Sequence, residues 1–289
     1  MPIQARVRLA HATLQAIADA SGVDLLHVKG PALDASLRPA SGDGRPAARH
    51  STDADVLVRP DQVDAFLAGL AAHGWRPVSR FETGSPFGHA ATWWRDDLGH
   101  ADVHRSFPGV GAADAFDQLW AGRQSVRLAH RPVWVPDVTA QRLLLLVHAA
   151  RSGGSGSADV RVAWGGATQR QRDDVVALAG RLDAEVALAA ALGRLDEHAD
   201  AAEHDLWQLF SAGGSSGRLA EWRARVKAAP TRRQAVAVAL RALRVNTDHL
   251  ARELQRPPTR RDIAWAAVRR WGRALRELAA LLSRNSNSR

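Results

Sequence analysis

Two aspartates, two residues apart and running straight into an apolar stretch, constrain this chain more than anything else in it. The segment reads Asp53-Ala54-Asp55-Val56-Leu57-Val58. Residues i and i+2 of a strand share a face, so both carboxylates project together. An unbroken apolar run reads as an interior strand, and acids at its edge border a cleft. Asp102, in His100-Ala101-Asp102-Val103-His104, joins them if its strand lies alongside. Three gathered carboxylates repel one another and lose hydration, so something cationic should hold them. Hard divalent ions such as Mg²⁺, with Mn²⁺ as a possible substitute, prefer oxygen ligands. A pair of them can clamp a phosphoryl group during in-line displacement.

The chain around these acids follows two patterns. Residues 3–20 place Val7, Leu9, Leu14 and Ile17 at helical spacing, and Ser21-Gly22 ends that helix. Leu25–Val28 belongs to a short buried strand. Lys29-Gly30-Pro31 follows, with Pro31 suited to the first turn of a helix reaching about Leu37. Residues 38–52 read as a loop, and Pro60-Asp61 opens an amphipathic helix stopped by His73-Gly74. Strands are expected at 75–79, 92–95, 100–104, 125–128 and 133–135, with a short helix near 112–120. From Asp137 onward the pattern is helical, with loops at 152–158 and 211–217. The last helix puts Val268, Trp271, Leu275, Leu278 and Leu282 on one stripe, which predicts a packed face. The reading is an α+β protein: a mixed α/β part over 1–136 and an all-helical part over 137–289.

Composition narrows the chemistry. There is no cysteine among the 289 residues, which removes disulfides, thiolate nucleophiles and cysteine zinc sites. No stretch of about 18 apolar residues exists and no leader is apparent, so a cytoplasmic protein is expected. Residues 218–289 carry 18 Lys and Arg against 5 Asp and Glu, a net of +13, leaving −4 for residues 1–217. A basic end suits a polyanionic partner, nucleic acid included, although arginine used as the general surface residue would give the same balance. Only Lys29 and Lys227 are lysines. Where arginine is the default cation, a lysine beside Gly30 offers a compact ammonium for a tight phosphate pocket, with Gly30 letting a ligand approach the backbone.

Other groupings are weaker. His100, Asp102 and His104 alternate onto one strand face and would also suit a transition-metal hydrolase. His104 more simply orients a carboxylate or meets substrate, His100 reads as a turn residue, and His148 as a core-edge histidine with its hydrogen bond satisfied. No serine has nucleophile-elbow spacing.

Lys29-Gly30-Pro31 after an apolar strand, Arg49-x-x-x-Asp53-x-Asp55-x-Leu57-Val58-x-Pro60, Gly74-Trp75 and Asp102-Val103-His104 occur in that order. Together they resemble the uncharacterised nucleotidyltransferase family of the DNA polymerase β-like superfamily, over about the first half of the chain. The resemblance implies a minimal nucleotidyltransferase core, a small mixed sheet flanked by helices. It implies that Asp53, Asp55 and Asp102 hold Mg²⁺ and carry catalysis, and that Lys29 and Gly30, with Arg49, hold a nucleoside triphosphate such as ATP. His104 and Thr52 stand as supporting residues. Lys-Gly replaces the superfamily's Gly-Ser, Thr52 its small glycine, and Ala54 a bulkier aliphatic. The implied reaction moves a nucleoside monophosphate to an acceptor hydroxyl, on a peptide, metabolite, protein or RNA end, and releases pyrophosphate. The alternative is a catalytically silent relative that binds through its basic helices.

Overall fold

The computed structural model describes residues 1–39, 51–84, 88–152, 154–211, 218–229 and 231–286. Helix α1 (Ile3–Ser21) buries Val7, Ala10, Leu14, Ile17 and Ala18. It ends at Gly22, whose left-handed φ of 64° lets its N–H return to Ala18 and Asp19. Strand β1 (Leu25–Val28) is buried throughout, and β2 (Asp53–Val58) buries all but its first residue. Helix α2 (Val63–Ala72) follows, then β3 (Arg76–Pro77), the short α3 (Phe81–Gly84), β4 (Ala90–Arg95), β5 (Gly99–His104) and α4 (Ala115–Ala121). The hairpin β6 (Gln124–Leu128) and β7 (Arg131–Val135) closes this half.

The main sheet runs β1-β2-β5-β4-β3. β2 and β5 are parallel; every other pairing is antiparallel. Each face is covered. On one, Ala54, Val56, Val58, Ala101 and Val103 pack against Leu14 and Ile17 of α1 and Phe66 and Leu70 of α2. On the other, Leu26, Val28 and Leu57 join the helical half through Leu143–Val147 of α5 (Val138–Ser152). Two-sided cover is why β2 reads as continuous apolar sequence.

Beyond α5 come α6 (Ala158–Val160), α7 (Gln169–Arg181), α8 (Glu185–Leu192), α9 (His204–Ser211), α10 (Arg218–Lys227), α11 (Arg232–Leu243), α12 (Thr247–Leu254) and α13 (Arg260–Ser286). α5 is central and packs against α7, α8 and α9. Gly109 locks the two halves: at φ 90° it lies so close that an added Cβ would stand 2.5 Å from the Trp207 ring and 2.7 Å from Ala187.

Several expectations are corrected. No α-helix follows Pro31; two 3₁₀ turns, Gly30–Ala32 and Ala35–Leu37, stand there. Leu33 and Asp34 between them are extended, and the Asp34 carboxylate takes the Ser36 N–H, so the helix cannot propagate. The strand expected over 75–79 shrinks to Arg76–Pro77, and Pro77 has no N–H to extend the ladder. The region expected as loop at 152–158 holds the end of α5 and a 3₁₀ turn, Gly154–Gly156. On α13, Val268 and Trp271 are 70% and 48% exposed rather than packed, and Trp265 beside them is 65% exposed; the side chains of Leu275, Leu278 and Leu282 lie outside the described residues. That helix docks another side, where Arg270 Nε donates to the Ala242 carbonyl of α11 at 2.9 Å.

Candidate metal and nucleotide site

The register assembles the acids. Asp55 stands directly opposite Asp102 across the parallel β2–β5 pair, and Asp53 opposite His100. Leu57 faces His104 in the same ladder, so Asp53, Asp55, Asp102 and His104 all project on the α5 side of the sheet. One ligand atom each from Asp55, Asp102 and His104 lies within 4.8 Å of the others. Asp53 is outside that trio but on the same face. Its Oδ1 accepts from Ser51 Oγ at 3.0 Å.

Asp55 is the centre of charge, 6% exposed. Lys29 Nζ donates to its Oδ1 at 2.9 Å and His104 Nε2 to the same oxygen at 2.8 Å. Burial alone would raise its pKa. The Lys29 ammonium and the His104 hydrogen bond overcome that and hold the carboxyl well below the usual carboxylate range. Asp53 goes the other way: burial first, then the charges of Asp55 and Asp102, raise it. A bound cation would relieve that repulsion. Asp102 is oriented by Thr92, whose Oγ1 donates to Oδ1 at 2.8 Å. The paired carboxylates of Asp55 and Asp102 on a mostly buried sheet face, with Asp53 beside them, fit a divalent cation, and His104 and Thr92 supply the outer hydrogen bonds that such ligands use.

Lys29 reaches Asp55 because the chain turns sharply at the end of β1. Val28 pairs with Asp55, and Lys29 and Gly30 both take positive φ, 59° and 46°. A Cβ on Gly30 would stand 3.0 Å from Ser51 Cβ, so the turn is tight against the residue that holds Asp53. Thr52 is exposed at the entry to β2. Arg49 lies outside the described residues. His100 sits on β5 rather than in a turn, its ring 4.5 Å from that of Trp94.

Sequence reasoning missed Ser51, Thr92, His89 and Arg151. Thr92 is opposite Asp102 in the β4–β5 ladder, which no local pattern announces. The His89 ring is 5.5 Å from that of His104. His148, expected with its hydrogen bond satisfied, buries Nδ1 without a partner. Burial, aided by Lys29 and Arg151, lowers it to about 4.

With this geometry in view, the comparisons define the class. Residues 3–200 match the family described as uncharacterised nucleotidyltransferase. The chain belongs to that family and is a nucleotidyltransferase by class. No curated protein matches it. Among solved structures, it is similar to ANT(2'')-Ia in complex with adenylyl-2''-tobramycin, at 17% identity and a TM-score of 0.40, over 61% of this chain and 97% of that one. It is also similar to the lincosamide antibiotic adenylyltransferase LnuA, lincomycin-bound, at 12% identity and a TM-score of 0.33, over 60% and 96% of the chains. A third is an antigenic nucleotidyltransferase-like protein from Paracoccidioides brasiliensis, at 17% identity and a TM-score of 0.36, over 64% and 93%. These are distant likenesses, and membership stands on the family match.

Proposed function

We propose that this protein is a Mg²⁺-dependent nucleotidyltransferase, with Mn²⁺ as an alternative ion, that transfers a nucleoside monophosphate from a triphosphate such as ATP to an acceptor hydroxyl. The acceptor oxygen bonds to the α-phosphorus, the bond to the β-phosphate bridge breaks, the hydroxyl proton passes to water, and pyrophosphate departs. Asp53, Asp55 and Asp102 are the metal ligands in this reading, with His104 and Thr92 fixing their orientation. The metal, when bound, supplies charge neutralisation and a lowered acceptor pKa. Lys29 and the Gly30 backbone hold phosphate, and Arg49 is assigned beside them by family resemblance. The rest is positioning and electrostatics. The acceptor, a hydroxyl on a peptide, metabolite, protein or RNA end, enters between the sheet and the helical half, 137–289, which sets its specificity in the cytoplasm.

The observation that supports this reading is the facing pair Asp55 and Asp102 on adjacent parallel strands, with His104 beside them, in a chain of this family. Calorimetry with each ribonucleoside triphosphate, with and without Mg²⁺, tests it, together with label transfer from the α-phosphate to a panel of acceptors. Metal-dependent binding is expected. Asp53→Asn and Asp55→Asn are each expected to lower transfer by about 100-fold or more. Intact metal binding and transfer in Asp53→Asn would show the assignment wrong. The Asp55–Asp102–His104 set also fits a metallohydrolase. That reading gains if metal binds tightly while no triphosphate does. Binding through the basic helices alone gains if affinity for nucleic acid falls steeply with salt while no nucleotide is consumed.

A further inference from the structure

In the nucleotidyl-transfer reading Lys29 and Gly30 hold phosphate from the sheet side, and a multiply charged tail beside three acids calls for further donors and cations. α5 supplies them. It lays Leu143–Val147 on Leu26, Val28 and Leu57, the same sheet face that carries Asp55 and Asp102. One turn further along, His148 and Arg151 are three residues apart and so share a side of the helix. His148 lies within electrostatic reach of both Lys29 and Asp55, and Arg151 within reach of His148 and of His89. His89 in turn packs its ring against that of His104. The helical half thus brings a guanidinium and an imidazole to the rim of the acid cluster, where His89 adds a second imidazole from the sheet side.

Their state suits an anion. Burial lowers His148 to about 4, with the neighbouring cations Lys29 and Arg151 adding to the effect. That imidazole is therefore neutral near pH 7 and has an N–H to donate. Burial also lowers Arg151 to about 10, so it stays charged, and its planar fork matches two phosphate oxygens at once.

We propose that Arg151 and His148 of α5, with His89, form the pocket for the terminal phosphates of the triphosphate, so that the helical half binds the leaving group while the sheet binds the reacting centre. This rests on the nucleotidyl-transfer reading and assigns a substrate-binding role to residues outside the family's acid motif.

Calorimetry with inorganic tripolyphosphate at fixed Mg²⁺ tests it, on the wild type, Arg151→Gln, His148→Ala and, as a surface control, Arg76→Gln. The wild type should bind. Arg151→Gln should bind about tenfold or more weakly, as loss of a charge-assisted pair predicts; His148→Ala should also weaken binding, and Arg76→Gln should match the wild type. Unchanged affinity in a folded Arg151→Gln, or no binding by the wild type, overturns the proposal. If Arg151→Gln does not fold, Arg151→Lys decides: weaker binding is expected because the fork is lost, and equal affinity overturns it. Tripolyphosphate binding that depends on Arg151, with no nucleotide consumed by any acceptor, keeps the pocket and removes the transferase reading. Transfer by Arg151→Gln with an unchanged KM for nucleotide does the reverse.

Discussion

At the scale of single residues, Lys29 carries the most consequence. It adopts a backbone conformation that a side chain rarely takes, φ 59° with ψ −170°, and the turn returns its ammonium to a carboxylate 26 positions away. Asp55 is held below its ordinary pKa by this cation and by His104. The stability they contribute is present above the unfolded carboxyl value, near 3.8, and is lost as pH falls through the lower folded value. Lys29→Met should therefore cost about 3 kcal/mol, as removing one partner of a mostly buried pair does. It should also move the acid unfolding transition to higher pH. A thermal melt at pH 7 checks the first and an acid titration of the fold from about pH 5 to pH 2 the second, and an unchanged acid transition would mean the pair contributes nothing. The shared face of Asp53 and Asp55 and the singular Lys29 were legible in the sequence because carboxylates two apart before an apolar run and a solitary lysine are local signals; Asp102 joins them only through the pairing of its strand. Thr92 and Ser51 were not, because their roles exist only once strands pair. His148 was misread because its surroundings depend on how α5 is rotated against the sheet.

At the scale of elements, α1 and β1 are joined beneath the sheet, away from the acids, by a buried polar chain. Gln15 Nε2 donates to Asp19 Oδ1 at 2.7 Å, leaving Oε1 to accept from His27 Nε2 at 3.1 Å. His27 Nδ1 must then accept, and His11 Nδ1 donate to it, at 2.8 Å. The arrangement requires a neutral His27, and His11 Nε2, buried without a hydrogen-bond partner, marks that ring as neutral as well. Burial lowers His11 to about 4, with Asp55 partly offsetting it; burial and then His11 lower His27. Each histidine gains protons on unfolding below pH 6.5, so stability is full above that value and falls as pH drops toward 4. Urea melts between pH 7 and pH 5 should show a loss approaching about 1.4 kcal/mol per pH unit for each group. The paired substitution His11→Phe with His27→Leu should flatten that slope. The strands themselves were legible from apolar runs, but the turn joining β6 to β7 was not. It places Ala129 and His130 at φ 46° and 67°, where Asn-Gly is the usual signature. The missing helix after Pro31 has a similar origin, since proline at a first turn permits a helix without forcing one.

At the scale of the whole molecule, the pattern change near residue 136 is real in secondary structure, yet one apolar cluster crosses it. Leu26, Val28, Leu57, Phe107, Phe116 and Leu119 from the first part share that cluster with α5, α7, α8 and Trp207. A fragment of residues 1–136 would expose this face of the sheet and lose the contact that Gly109 makes with Trp207. It should be largely unfolded or aggregated, and circular dichroism with sedimentation would show it; a cooperative, monomeric fragment would contradict the shared core. Sequence pattern could not reveal this, because helices and strands announce their own period and not the partner they cover. The exposed Trp265, Val268 and Trp271 on α13 teach the same lesson. An apolar stripe marks a face able to be buried, and only tertiary placement says whether it is.

The pairing of β2 with β5 has one more consequence. Asp55 meets Asp102 only in the observed alignment of two inner strands; sliding either by a single residue would turn an acid through the sheet toward α1. No hinge or lid can assemble or dismantle that meeting of acids piecemeal. Amide protons along both strands should exchange only through global opening, and heat inactivation should follow the melting curve of the entire protein, with no earlier step in which the catalyst is lost and the fold survives.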